Sequence, residues 1–217
     1  MSPSAKCSWA ELWRRLNARG DADAVFAELA AHYAESHRAY HNLAHIADCL
    51  EQFAPAHALA GNAAAVELAL WYHDVIYDPR ARDNEERSAE VAVHAADKMG
   101  LAKDFAEAVR TLILATKKHD VSLAPDAAVM VDVDLSILGR APQRFDEYER
   151  QIRQEYAWVP DDTFAAGRAA VLESFLLRPA IYATEFFRSQ YEHQARANMA
   201  RSVEKMKGPD SSGKGQA

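Results

Sequence analysis

Val129-Met130-Val131-Asp132-Val133-Asp134-Leu135-Ser136-Ile137-Leu138 is the stretch on which the fold class turns. Val129, Val131, Val133, Leu135 and Ile137 alternate with other residues, which is the period of a strand. A strand needs a partner, and an isolated one is not stable in water. No other segment of the chain offers a convincing second strand. The stretch therefore reads as helix, and the chain as all-α.

The flanking sequence agrees. Ser8 followed by Glu11 is a capping-box signal for a first helix striped by Trp9, Leu12, Trp13 and Leu16. Asn17 to Gly20 ends it. A second helix carries Val25, Phe26, Leu29 and Tyr33. After an irregular approach over residues 37–42, Asn42 caps a third, striped by Leu43, Ile46, Leu50 and Phe53 and ended by Pro55. A fourth starts near Gly61-Asn62 and carries Val66, Ala69, Leu70, His73 and Tyr77 on one face, up to the break at Asp78-Pro79. Asp83-Asn84 caps a fifth, which runs to Met99-Gly100. Phe105, Val109, Leu112, Thr116 and His119 stripe a sixth, with His119 on the buried face near its end. Phe145, Tyr148, Ile152 and Tyr156 mark an eighth. Pro160 starts a ninth with Phe164, Val171, Leu172 and Phe175, and a last helix spans about 183–206. The polar, Gly/Ser-rich residues 207–217 read as a flexible tail.

With 217 residues, 49% of them hydrophobic, the chain can bury one sizeable core. A net charge of −7 argues against non-specific binding to nucleic acid or anionic membrane. It leaves room for a phosphorylated substrate, because a bound cation can reverse the local potential. No stretch resembles a secretory signal or a membrane span. Cys7 and Cys49 form no motif and read as reduced thiols of a cytoplasmic protein. The metal ligands expected are therefore nitrogen and oxygen.

Leu70-Trp71-Tyr72-His73-Asp74-Val75-Ile76-Tyr77 holds the chemistry. An imidazole and a carboxylate inside an apolar run are costly to bury unless something pairs the charge, and a divalent cation does so. A His-Asp dipeptide alone is weak evidence. Here His41 and His45 precede it and His119, Asp132 and Asp134 follow, which is a metal-site order. Such a set suits Mn, Fe, Co, Ni, Mg or Zn. It leaves positions for water and substrate, as hydrolysis requires.

The order His45 … His73-Asp74 … Asp134 resembles the signature of the HD superfamily of metal-dependent phosphohydrolases. Tyr40-His41-Asn42-Leu43-Ala44-His45-Ile46, residues 71–79, Asp83-Asn84-Glu85-Glu86-Arg87-Ser88-Ala89 and Asp132 to Gly139 are similar to a bacterial subfamily of predicted HD phosphohydrolases. The likeness runs from about Trp9 to Met206. It implies a single-domain, all-α HD-type helical bundle over residues 1–206. It also implies that His45, His73, Asp74 and Asp134 hold the ion, with Asp74 orienting or deprotonating the attacking water. His41 stands as an alternative to His45, and Asp132 to Asp134. A second ion would draw on His119, whereas His94 reads as a surface residue. The Gly-Tyr-Pro extension of the cyclic dinucleotide branch is absent.

Other residues carry a plainer reading beside the functional one. His119 suits a helix C-terminus by charge alone. Asn84 and Glu85 are by default a cap and a first-turn acid, but their nearness in sequence to the doublet makes them candidates for the site border. Arg153, Arg168 and Arg178 are by default solvated or ion-paired. Arg153 and Arg168, together with Lys117, are the candidate phosphate contacts. The expected activity is hydrolysis of a phosphate mono- or diester, a nucleotide or a small phosphorylated metabolite. Two alternatives from other classes are a metal-containing nucleotide sensor without turnover and an HD-type di-iron oxygenase. The sequence leaves the oligomeric state open, a homodimer included.

Overall fold

A computed structural model of the protein describes residues 3–118 and 124–208. Every regular element among them is helical. The alternating stretch of 129–138 forms a helix that tightens into a 3-10 turn, with no strand. The described chain forms two compact units, 1–134 and 135–217. The division falls inside that continuous helical run, where no Gly/Pro/Ser-rich linker marks it.

The first unit contains α1 (Pro3–Arg15), α2 (Ala22–Tyr33), α3 (Leu43–Ala56), α4 (Ala63–Tyr72), α5 (Asn84–Lys98), α6 (Lys103–Ala115) and α7 (Pro125–Asp134). Helix α4 is its centre. Ala65 to Tyr72 are all buried, as expected of a helix that is apolar all round. Trp71 meets Trp9 edge-on at 5.4 Å and Phe26 at 6.1 Å, arrangements that the ring quadrupoles favour. Trp9 donates its indole N–H to Ala22 O, 2.9 Å away, which joins α1 to the start of α2.

Three helices are held in register. The Asp126 carboxylate, in the first turn of α7, accepts from the backbone N–H of Gly61 (2.6 Å) and Asn62 (3.0 Å), just ahead of α4. At the far ends of the same two helices, His73 and Asp134 approach one another. Helices α4 and α7 therefore run side by side in one direction. Helix α3 runs the other way, since His45 in its first turn reaches those same C-terminal ends.

Several local expectations change. Helix α1 starts by Pro3, so Ser8 lies in mid-helix and does not cap it. Pro55 sits inside the last turn of α3, which continues to Ala56. Helix α4 stops at Tyr72, well before Asp78-Pro79. The Asp83 side chain makes no capping bond. Asn84 instead braces the preceding loop, accepting from Asp78 N–H and donating to Asp78 O. Val171 is exposed. His119 and residues 209–217 of the expected tail lie outside the described residues.

The second unit contains a 3-10 turn (Leu135–Gly139), α8 (Pro142–Glu155), α9 (Asp161–Leu176) and α10 (Glu185–Lys207). Asn198 of α10 is fully buried and donates to Leu138 O and Arg140 O, so one amide satisfies two loop carbonyls. Gly139 lies against Tyr191 of the same helix. A Cβ at position 139 would stand 2.8 Å from Tyr191 O and 2.9 Å from its Cα. Backbone cannot yield as a flexible side chain can. Gly139→Ala is expected to cost about 2–3 kcal/mol by overpacking, read as a lower midpoint in urea unfolding. An unchanged midpoint would contradict this close approach.

Candidate metal centre

The doublet lies at the C-terminal end of α4, because the chain stops being helical there. His73 still donates its backbone N–H to Ala69 O, 2.9 Å away, but Val75 N–H bonds Tyr72 O. The carbonyls that would continue the helix are taken by side chains. Trp71 O accepts from the Tyr33 hydroxyl at 2.9 Å. Asp74 O and Val75 O accept from Arg38 Nη1 (2.6 Å) and Nη2 (2.9 Å). Ile76 exchanges both backbone bonds with the Ser88 hydroxyl of α5.

Arg38 is the organiser of this turn. Its side chain is 0% exposed. Beyond the two carbonyls after His73, it donates to His41 O at 3.1 Å and pairs with Glu35 at 2.9 Å. Its guanidinium lies between the rings of Tyr33 and Tyr77, 5.3 and 5.5 Å from their centroids. One planar fork thus fixes the approach to α3 against the exit from α4.

Four donor atoms converge. His45 Nε2 lies 3.1 Å from His73 Nε2, 3.5 Å from Asp74 Oδ2 and 3.3 Å from Asp134 Oδ1. His73 Nε2 lies 3.1 Å from Asp74 Oδ2 and 3.6 Å from Asp134 Oδ1. With ligand bonds of about 2.0–2.2 Å, neighbouring ligands at right or tetrahedral angles stand about 2.8–3.6 Å apart. The observed spacings match that range. His73 Nδ1 stands 2.9 Å from Leu70 O. That bond requires the N–H on Nδ1, so the neutral ring turns its Nε2 lone pair toward the cluster, as a metal-binding histidine does.

The electrostatics also ask for a cation. Asp74 follows the C-terminus of α4 and Asp134 ends α7. Helix C-termini carry partial negative charge and disfavour acids. Two carboxylates gathered there are stable only beside positive charge. The imidazoles feel the same demand. Burial pushes His73 down, but Asp74 and Asp134 outweigh it and hold its pKa well above the usual value. His45 is likewise raised against burial, by Cys49, Tyr40 and its bonds to Asp134 and Asp74. Burial pushes Asp74 up, yet His73, His41 and the histidine bonds hold it well below the carboxylate range.

A pH dependence follows, with signs fixed by those shifts. The raised imidazoles stabilise fully below their ordinary 6.5 and lose that contribution as pH rises through their higher folded values. The lowered Asp74 stabilises fully above its ordinary 3.8 and loses that as pH falls through its lower folded value. Chelator-treated protein should therefore have its cluster intact between these two ordinary values and a falling melting temperature as pH rises past the upper one. Added divalent ion should remove that alkaline fall, because neutral imidazole is the ligating form. Melting curves across pH, with and without ion, check this. A metal-free melting temperature that rises above pH 6.5 would contradict it.

The other expected residues are distributed as follows. Asp134 delivers its oxygen to the histidines, whereas Asp132 is fully buried and contributes no atom to this group. His41 stacks on Tyr77 at 4.1 Å and its ring lies 6.0 Å from that of His45. It adjoins the cluster, where it helps to lower the pKa of Asp74. Asn84 is tied to Asp78, as described above. Glu85 stands in the first turn of α5. Lys117 is exposed, pairs with Glu86 and donates to Arg82 O at 2.8 Å. Arg153 and Arg168 belong to the second unit. Arg153 pairs with Asp161 and donates to Tyr156 O and Val159 O. Arg168 pairs with Glu149 and bonds the Tyr148 hydroxyl. His94 is exposed, as expected.

Sequence reasoning missed two residues. Arg38 left no local signal, because its partners meet only in the fold. Cys49 left one: it follows His45 by four residues, one helical turn, and its Sγ lies 3.7 Å from the His45 ring nitrogens.

No model of a known family, no curated protein and no solved structure matches this chain. The site is therefore interpreted from its own geometry. His45 and His73 are 2% and 1% exposed in their side chains, against 19% for Asp74 and 16% for Asp134. The cluster has a dry imidazole side and a carboxylate side open to solvent. A cleft of about 270 Å³ lies elsewhere, between α2 and α5, behind Tyr72 and Val75, and holds none of the four donors. No described helix is long and apolar enough to cross a membrane.

Proposed function

We propose that this chain is a metal-dependent phosphohydrolase of the HD type, acting on a phosphate mono- or diester such as a nucleotide or a small phosphorylated metabolite. The observation that carries the reading is the convergence of His45 Nε2, His73 Nε2, Asp74 Oδ2 and Asp134 Oδ1 within 3.1–3.6 Å along the pairs given above. A divalent ion bound by this set would supply a Lewis acid for a phosphoryl oxygen and lower the pKa of water. The chain's own residues do the rest. His45 and His73 form the dry wall that excludes bulk water. Asp74 faces solvent and stays ionised, so its carboxylate can orient a water or take its proton. His41 stands at the same side, close enough to Asp74 to lower its pKa, where it can meet a phosphate oxygen.

Cytoplasmic location and a small phosphorylated substrate belong to the same reading. The test is a panel of phosphate mono- and diesters, nucleotides included, assayed with protein stripped and reloaded with single divalent ions. Turnover that appears on loading and disappears on chelation is the expected result. Fully loaded protein that consumes nothing on the panel, yet melts higher with one nucleotide, would replace hydrolysis by ligand sensing.

A further inference from the structure

The cleft between α2 and α5 has the make-up of a small-molecule site: an apolar lining with a few polar groups. It measures about 270 Å³, and an apolar cavity of about 150 Å³ already holds a benzene ring. Its walls include Trp13, Val25, Leu29, Val75, Val91 and Met99. Two polar groups break that lining. Tyr72 is 2% exposed, yet among the described residues its hydroxyl has no hydrogen-bond partner. A hydroxyl withdrawn from water without a partner is costly. Glu28 lines the same cleft, and among the described residues its carboxylate has neither an ion pair nor a hydrogen bond. Burial first, and the Glu28 charge second, raise the Tyr72 pKa, so the phenol keeps its proton and can donate it.

The cleft thus presents a donor and an acceptor close together. One hydroxyl group on an occupant answers both, because it accepts from Tyr72 and donates to Glu28. A carboxylate answers only Tyr72 and is repelled by Glu28. The cations of the lining, Arg19 and Lys98, stand by Met99 near the start of α2, where Arg19 N–H bonds Met99 O, whereas Glu28 lies in the second half of that helix. We propose that this cleft binds a small neutral aromatic alcohol of one or two rings, with its hydroxyl on Tyr72 and Glu28 and its rings against the apolar walls. Tyr72 and Val75, which flank the His73-Asp74 doublet in the chain, form part of the wall. The proposal does not rest on the metal-site reading, and its failure leaves that reading untouched.

The test is calorimetric titration of the full chain with 2-naphthol and with 2-naphthoate, for wild type, Tyr72→Phe, Glu28→Gln and Ala24→Phe. Wild type is expected to bind the alcohol saturably and the carboxylate more weakly. Tyr72→Phe should weaken the alcohol about three- to tenfold, the scale of one hydrogen bond. Glu28→Gln should narrow the gap between the two probes. Ala24→Phe, at an exposed position of the lining, should abolish binding by filling the space. No saturable binding of 2-naphthol by wild type up to about 1 mM would overturn the site. Carboxylate bound as tightly as alcohol would overturn the assigned ligand class. Unchanged binding in both Tyr72→Phe and Ala24→Phe would overturn the placement. The wild-type comparison of the two probes decides even if a variant fails to fold.

Discussion

Asp74→Ala is expected to lower phosphohydrolase turnover by about a thousandfold or more, the upper range for loss of a general base. The loss comes from the chemical step and from the ion together. The side chain removed is the most open of the four converging groups, 19% exposed against 1–2% for the histidines. It is also the one held ionised against its own burial by His73 and His41. Asp74→Asn keeps shape and hydrogen bonding but removes charge, so it separates the two contributions. Its metal content, measured beside its kcat, should fall less than its rate. Activity within threefold of wild type in either loaded variant would remove Asp74 from the chemistry.

Arg38→Ala is expected to destabilise the protein by about 3–5 kcal/mol, the scale of breaking a buried charged network. The Arg38 guanidinium is fully buried and serves Asp74 O, Val75 O and His41 O at once. Its removal leaves those carbonyls without that donor, and each buried group that stays unpaired costs about 1–3 kcal/mol. Against a total stability of about 5–15 kcal/mol, that is a large fraction. Arg38→Lys is the informative companion. An ammonium keeps the charge but lacks the planar fork. It should fold, bind the ion about 10–100-fold more weakly, as loss of an outer support does, and shift the urea midpoint less than alanine. A midpoint for Arg38→Ala equal to wild type would show that the turn after α4 holds itself.

The two variants probe what was legible in the chain and what was not. His73, Asp74, His45 and Asp134 could be picked out because ligand chemistry is a property of side-chain identity, and their order along helices brought them to adjoining helix ends. The same logic does not reach Cys49, because the two cysteines form no motif with each other and its neighbour is a histidine one helical turn away. Arg38 was invisible because its partners are backbone carbonyls from two separate turns. For the same reason α4 ends early. Nothing in Tyr72-His73-Asp74 stops a helix, but Tyr33, Arg38 and Ser88 capture the carbonyls of residues 71, 74, 75 and 76. The alternating run at 129–138 shows the reverse case. Its local period favours a strand, and the lack of a second strand decided correctly for helix. The boundary at Asp134–Leu135 had no local mark, because it lies within unbroken helical backbone. In the sequence Asp134 is the preferred ligand and Asp132 its alternative. The end of α7 separates them, where Asp134 reaches His45 and His73.

The central claim is that His45, His73, Asp74 and Asp134 hold one divalent ion. An anomalous-difference map, collected at the absorption edge of the bound metal from crystals of loaded protein, tests it directly. The account predicts a single strong peak with His45 Nε2, His73 Nε2, Asp74 Oδ2 and Asp134 Oδ1 at about 2.0–2.2 Å. A map with full occupancy elsewhere and no peak among these atoms would contradict it.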